Sequence, residues 1–209
     1  MMMVAGGVLS EAVVVIAAHA FEARAAAGVG RSMSKEAWGQ WMLYRGEMWD
    51  LPLAVVRCGP GKVAAAAAAQ AAIQYLDPAV MLSFGTAGSP DVRVPRGTLT
   101  VARTVVDVAL TELGELPVYI PYCFDVDGTL LEALLQVPGT HAGSLLCWEG
   151  HVASPVHRPP ITVDETGIVA VDWESAAVAH VAEMWNVPWA AIKVVSDHGE
   201  SERLRFLAL

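Results

Sequence analysis

Along the chain, apolar β-branched runs alternate with a Gly-containing or polar turn and then an alanine-rich run. Short runs that stay apolar without in–out alternation suit strands buried on both faces, and helices then cover the sheet. The runs predict strands at Val13–Ala18, Leu53–Cys58, Val80–Phe84, Leu99–Val108, Ser144–Cys147, Ile168–Val171 and Ala190–Val195. The clearest helices are Val63–Leu76, stopped by Asp77-Pro78, and Ser175–Trp185, stopped by Asn186-Val187-Pro188. Within the first, the run Ala64–Ala69 reads as a tightly packed helix face. Between Gly114 and Pro160 the chain is rich in Pro and Gly and is expected to cross the surface around one or two short elements.

Composition narrows this picture. A chain of 209 residues can core one domain, and a hydrophobic share of 55% against 17% charged predicts further burial in a homo-oligomer. The net charge of -9, with no Lys or Arg cluster, excludes nucleic acid as a partner. Cys58, Cys123 and Cys147 fit neither a disulfide framework nor a zinc site, so a reducing cytoplasm is the expected location and no metal is expected. The apolar run Ala12–Ala18 has no basic residue before it and is too short to span a bilayer, so no membrane partner is expected. Residues 1–10 read as a flexible leader and 11–209 as the domain.

Two glycine-rich turns invite a ligand. Gly59-Pro60-Gly61-Lys62-Val63-Ala64 matches G-x-G-x-x-A between a strand and a helix, but Val56 and Val63 break a phosphate-binding loop, and the next strand ends in Phe84-Gly85 where a dinucleotide site wants an acid. A tight strand-to-helix turn is the simpler reading. The stretch Ser83–Pro90, SFGTAGSP, ends a strand in Gly85, Thr86, Ala87 and Gly88, small residues that let a ligand approach the backbone.

Carboxylates fall at the same places. In the stretch VDWESAAVAHVAEMWNVPWAAIKVVSD, Glu174 follows one strand and Asp197 ends another, and Glu22 follows the first strand of the chain. Open parallel sheets bind ligands at the carboxyl ends of their strands, which would bring all three acids beside Thr86–Gly88. Taken singly, each has a plain structural reading: Glu174 facing a helix dipole, Asp197 as a cap, Glu22 as an exposed partner of Arg24. Three such coincidences on one edge favour a site.

These same segments resemble the purine nucleoside phosphorylase and nucleosidase superfamily. The stretch ending in Ser196-Asp197 is similar to its V-x-M-E-x-A-A signature followed by a strand ending S-D, while CGPGKVAAAAA and SFGTAGSP resemble its G-x-G-K-x-x-A-A and T-G-S-A-G segments in the right order. Within the superfamily the pattern is most similar to that of methylthioadenosine/S-adenosylhomocysteine nucleosidases. The resemblance implies a single α/β domain with a central mixed, mostly parallel twisted sheet flanked by helices, no cofactor, and a small-molecule purine nucleoside as substrate.

It also implies roles. Asp197 corresponds to the acid that protonates the departing purine at N7, its proton retained by burial. Glu22 corresponds to the residue that orients and deprotonates the attacking water, the other half of an inverting arrangement. Glu174 corresponds to the carboxylate that accepts bonds from the ribose hydroxyls. Trp173, Ser196, Thr86, Ala87, Gly88, His151 and Val152 correspond to substrate-binding positions, and Asp172 reads as a cap without a catalytic role. Trp173 stands where Met is usual, His151 where an aromatic stacks on the base, and His19 where the family is apolar. After Asp197 comes HGESERLRFLAL in place of S-D-x-A-D and a long closing helix, so base and 5′-group preference are open.

Three other readings stay open. A phosphorylase on the same fold would need cations for a dianion, yet the first turn reads AAHAFEAR and Ser83 fills a family Arg position, leaving Arg45 as its candidate. A non-catalytic nucleoside binder would accommodate Trp173 and His151. A dinucleotide-dependent oxidoreductase would rest on GPGKVA alone.

Overall fold

The structure, a computed structural model, describes residues 11–113, 116–149 and 167–198, with the side chains of 108–121 excepted. The strands are β1 (Ala12–Ala17), β2 (Arg31–Trp38), β3 (Trp41–Met48), β4 (Leu51–Arg57), β5 (Pro78–Gly88), β6 (Leu99–Leu113), β7 (Leu116–Asp125), β8 (His141–Cys147), β9 (Ile168–Asp172) and β10 (Trp189–Asp197). The helices are α1 (Ala20–Ala27), α2 (Lys62–Leu76), α3 (Gly128–Leu135) and α4 (Ser175–Met184).

All ten strands join one sheet in the order β10-β6-β8-β9-β5-β1-β4-β3-β2, with β7 on β6. Because β5 also pairs with β10, the strands β5, β10, β6, β8 and β9 form a closed circuit. Strand β5 therefore stands at a junction, with β1, β9 and β10 all beside it. The sheet is mixed: β1 runs parallel to β4 and β5, β10 to β5, and β8 to β6 and β9, while β2, β3 and β7 add antiparallel hairpins.

Burial on both faces explains the apolar runs. In β1, Ala12, Val14 and Ile16 pack with α2 and α4, whereas Val13, Val15 and Ala17 pack with Ala23, Ala26 and Ala27 of α1. The alanines of α2 behave as the sequence suggests. Ala65, Ala68, Ala69 and Ala72 are fully covered, in one core with Val178, Ala179 and Ala182 of α4. Side chains this short let two helices and the sheet approach closely at little cost in side-chain entropy.

The stretch 114–160 departs from expectation, because β7, α3 and β8 occupy most of its described part. Pro117 and Pro121 read as breakers, yet among the described residues β7 has only β6 as a neighbour, and an edge strand tolerates residues that cannot donate to a ladder. Strands β2 and β3 were not expected either. Most of β2 is exposed and polar, so it shows no apolar run, and its charges protect an open edge from pairing with other chains. The proposed leader at 1–10 lies outside the described residues.

Candidate active site

Helix α1 begins one turn past the end of β1, and its third residue, Glu22, is only 3% exposed. Glu22 Oε2 accepts the backbone N–H of His19 at 2.8 Å, so the side chain folds back over the helix start. Its Oε1 accepts from Thr86 twice, from the backbone N–H at 2.7 Å and from the hydroxyl at 2.8 Å. Gly85 explains how this fits. A Cβ at that position would lie 2.8 Å from Glu22 Oε1, so the absence of a side chain on β5 makes the space that Glu22 fills.

The next step along β5 repeats the device. Gly88 lies opposite Asp197 of β10, where a Cβ would come within 3.1 Å of Asp197 Oδ1. The Ser196 hydroxyl lies 2.8 Å from Asp197 Oδ2 and 3.2 Å from the Ala87 carbonyl, and the Ser89 N–H donates to the Asp197 carbonyl at 2.8 Å. The register of β10 shifts between Val195 and Asp197, which swings the end of the strand relative to β5.

Glu174 sits at the start of α4, directly after β9, and is 8% exposed. Its Oε1 accepts the N–H of Gly61 at 2.8 Å. Gly61 and Gly59 have φ of +94° and +92°, so the turn from β4 into α2 takes a backbone shape that only glycine adopts without strain. Burial pushes the Glu174 carboxyl up to about 7, Asp172 adds to that, and Lys193 and the Gly61 N–H oppose it. Glu174, the carboxyl matched to the sugar, is therefore held by burial above the usual carboxylate range.

Asp172 is a cap, as the sequence suggests, and more. Its Oδ2 accepts the Ser175 N–H at 3.0 Å and its Oδ1 the Ser175 hydroxyl at 2.6 Å, while Lys193 Nζ lies 2.8 Å from Oδ2. Beside it, the Lys62 N–H donates to Glu149 Oε1 at 2.6 Å, and Lys62 Nζ pairs with Asp107 at 2.5 Å. Burial works against that ammonium, but the Asp107 bond and the neighbouring charges of Asp107 and Glu149 together outweigh it, and the Lys62 pKa is raised.

The residues expected to converge do so in part. Glu22, Thr86, Ala87, Gly88, Glu174, Ser196 and Asp197 stand at the carboxyl ends of β1, β5, β9 and β10, with half-buried Trp173 between Asp172 and Glu174. Glu22 is not the exposed partner of Arg24 that the plain reading allowed. His151 and Val152 lie outside the described residues. Arg45 lies mid-strand in β3, opposite Ala54, with Nε 3.3 Å from Glu36. The GPGK turn is the tight turn expected, yet it also reaches the site through Gly61. Gly61 and Lys193 escaped the sequence reading; the one available signal was a lone Lys in the apolar strand WAAIKVVSD.

A sheet edge where the carboxyl ends of β1, β5, β9 and β10 gather three buried carboxyls over a glycine-bearing floor defines a small-molecule site of the α/β type. The family model described as the Phosphorylase superfamily matches residues 11–207, and the chain belongs to that superfamily. A 5'-methylthioadenosine/S-adenosylhomocysteine nucleosidase of Actinobacillus succinogenes is 26% identical over 198 residues, 90% of this chain and 86% of the relative. Among solved structures, the nucleosidase of that name from Neisseria meningitidis, in complex with methylthio-immucillin-A, superposes with a TM-score of 0.78 at 21% identity, covering 95% of this chain and 91% of the other. The futalosine hydrolase of Helicobacter pylori superposes with a TM-score of 0.77 at 20% identity, covering 95% and 90%.

Proposed function

We propose that this protein is a nucleosidase that hydrolyses the N-glycosidic bond of a purine nucleoside such as 5′-methylthioadenosine or S-adenosylhomocysteine. Asp197 is the general acid that protonates the purine at N7 as the bond lengthens, because a purine anion leaves poorly. Glu174 accepts hydrogen bonds from the ribose hydroxyls, and Glu22 orients water and takes its proton on the far side of the sugar. Thr86, Ala87, Gly88, Trp173 and Ser196 line the substrate, and His151 and Val152 are assigned to the base.

The observation that supports water over phosphate is the Glu22–Thr86 contact. The N–H and hydroxyl of Thr86 are donors that could have held a phosphate oxygen, and Glu22 Oε1 already takes both. A phosphate dianion placed there would face a buried carboxylate in a poorly screened setting. The name of the Actinobacillus relative points the same way.

The test is product analysis with 5′-methylthioadenosine, with and without phosphate. Hydrolysis yields adenine and free methylthioribose at a rate independent of phosphate, and Glu22→Ala abolishes turnover while adenine still binds. A sugar 1-phosphate among the products would overturn the reading in favour of a phosphorylase. No cleavage under either condition would leave a nucleoside-binding protein.

The same reading includes a homodimer in the cytoplasm. Trp49, Tyr75, Met184 and Trp185 are large apolar side chains exposed on the single chain, which suits a surface covered by a second copy. No helix among the described residues is long and apolar enough to cross a membrane.

A further inference from the structure

Lys193 is the largest fully buried side chain among the described residues, 2% exposed in the middle of β10. Burying an ammonium is costly, and the ion pair with Asp172 at 2.8 Å offsets that cost without any net gain over a well-packed apolar pair. Stability alone therefore gives no reason for a lysine here. Its position supplies one. Lys193 lies opposite Gly85 of β5, the residue whose missing side chain makes room for Glu22, and on the strand that ends in Asp197. Asp172, its partner, is two residues before Glu174.

We infer that Lys193 is a positioning residue for the reaction: sealed against Asp172, two residues from Glu174, its ammonium favours the charged form of Glu174 that accepts the ribose hydroxyls. This rests on the proposed role of Glu174. Among the described residues, four groups bear most on the charge of Glu174. Asp172 from β9 disfavours its charge, Lys193 from β10 favours it, the Gly61 N–H from the β4–α2 turn favours it, and Glu22 from α1 disfavours it. Cys58, at the end of β4, faces the same cluster as a neutral thiol, because burial and then Glu174 push it up to about 12. Among these groups of the described residues, Lys193 supplies the positive charge. Burial alone would lower its own pKa, but Asp172 and Glu174 reverse this and hold it above the ordinary lysine value.

Removing either member of the pair should move the titration of Glu174, in opposite senses. The experiment measures kcat/KM for 5′-methylthioadenosine against pH, together with the ¹³C titration of the Glu174 carboxyl, assigned by its absence in Glu174→Gln. In Lys193→Met the rising acidic limb moves up by about one pH unit, with at least about a tenfold loss at pH 6. In Asp172→Asn, nearly isosteric and free of the charge, it moves down. Lys193→Arg keeps the limb where the parent has it, at a reduced rate. Should Lys193→Met fail to fold, Asp172→Asn decides.

A limb and a carboxyl titration that stay put in folded variants, or that move the same way in both, would overturn the inference and leave Lys193 as packing. Should the parent cleave no nucleoside, the proposed function fails, yet the carboxyl titrations still decide this point: opposite movements sustain it and unmoved ones end it.

Discussion

Gly61 donates its backbone N–H to Glu174 Oε1 at 2.8 Å, joining residues 113 positions apart in sequence. The contact ties the start of α2 to the start of α4, so the carboxylate assigned to the sugar is held by two helix ends at once.

Gly61→Ala should damage this joint twice over. A side chain at φ +94° and ψ 159° is strained, and its Cβ would sit 2.8 Å from Glu149 Oε1. We expect a loss of about 1–3 kcal/mol by urea denaturation and a higher KM for nucleoside, since relief of the strain in the turn moves the N–H that Glu174 accepts. Unchanged values for both would show that the turn plays no part in holding Glu174.

Asp197→Asn should fold normally and cleave purine nucleosides at least about a hundredfold more slowly, the low end for loss of a general acid. The amide keeps the size of the carboxyl beside Gly88 and can still accept from Ser196. Near-parental turnover would remove Asp197 from the chemistry.

The pH dependence of Glu174 has a definite sign. Its pKa in the folded chain, about 7, stands above the ordinary 4.5, so folding takes up a proton there between those values. The resulting stabilisation is complete below pH 4.5 and is lost as pH rises through 7, by up to about 3 kcal/mol. Activity runs the other way, because only the ionised carboxylate accepts from both hydroxyls, and so rises through pH 7. Glu174→Gln should flatten the stability slope and also erase the preference for ribose over 2′-deoxyribose. Denaturation midpoints and kcat/KM from pH 5 to 8 check both halves.

Thiol chemistry separates the cysteines. Cys58 is buried with its pKa pushed up to about 12, and Cys147 is raised by burial and then by Asp172, so both stay neutral and covered at pH 7.5. Cys123 is exposed. Iodoacetamide should label Cys123 first in the native protein, by at least about tenfold in rate on peptide mass spectrometry. Early labelling of Cys58 would show that the floor of the site opens in solution.

Much of this was legible along the chain, and for a local reason. Burial on both faces leaves an unbroken apolar run, so β1, β4 and β10 announced themselves, as did α2 through its alanines and the Asp77-Pro78 stop. The carboxylates Glu22, Glu174 and Asp197 could be placed at one edge because each follows a strand expected to be parallel. What the sequence could not decide were facts of pairing. Strand β2 looks like loop because its mostly polar, exposed residues show no apolar run, and β7 because Pro117 and Pro121 read as breakers; pairing with β3 and β6 makes them strands. Glu22 reads as a solvated helix residue until Gly85 and Thr86 of a distant strand enclose it, and Lys193 is unremarkable until Asp172 stands 2.8 Å away. A side chain's charge and hydrogen-bonding capacity are written in the sequence; the partner that gives them a task is chosen by register and by the closure of the sheet, which no local pattern encodes.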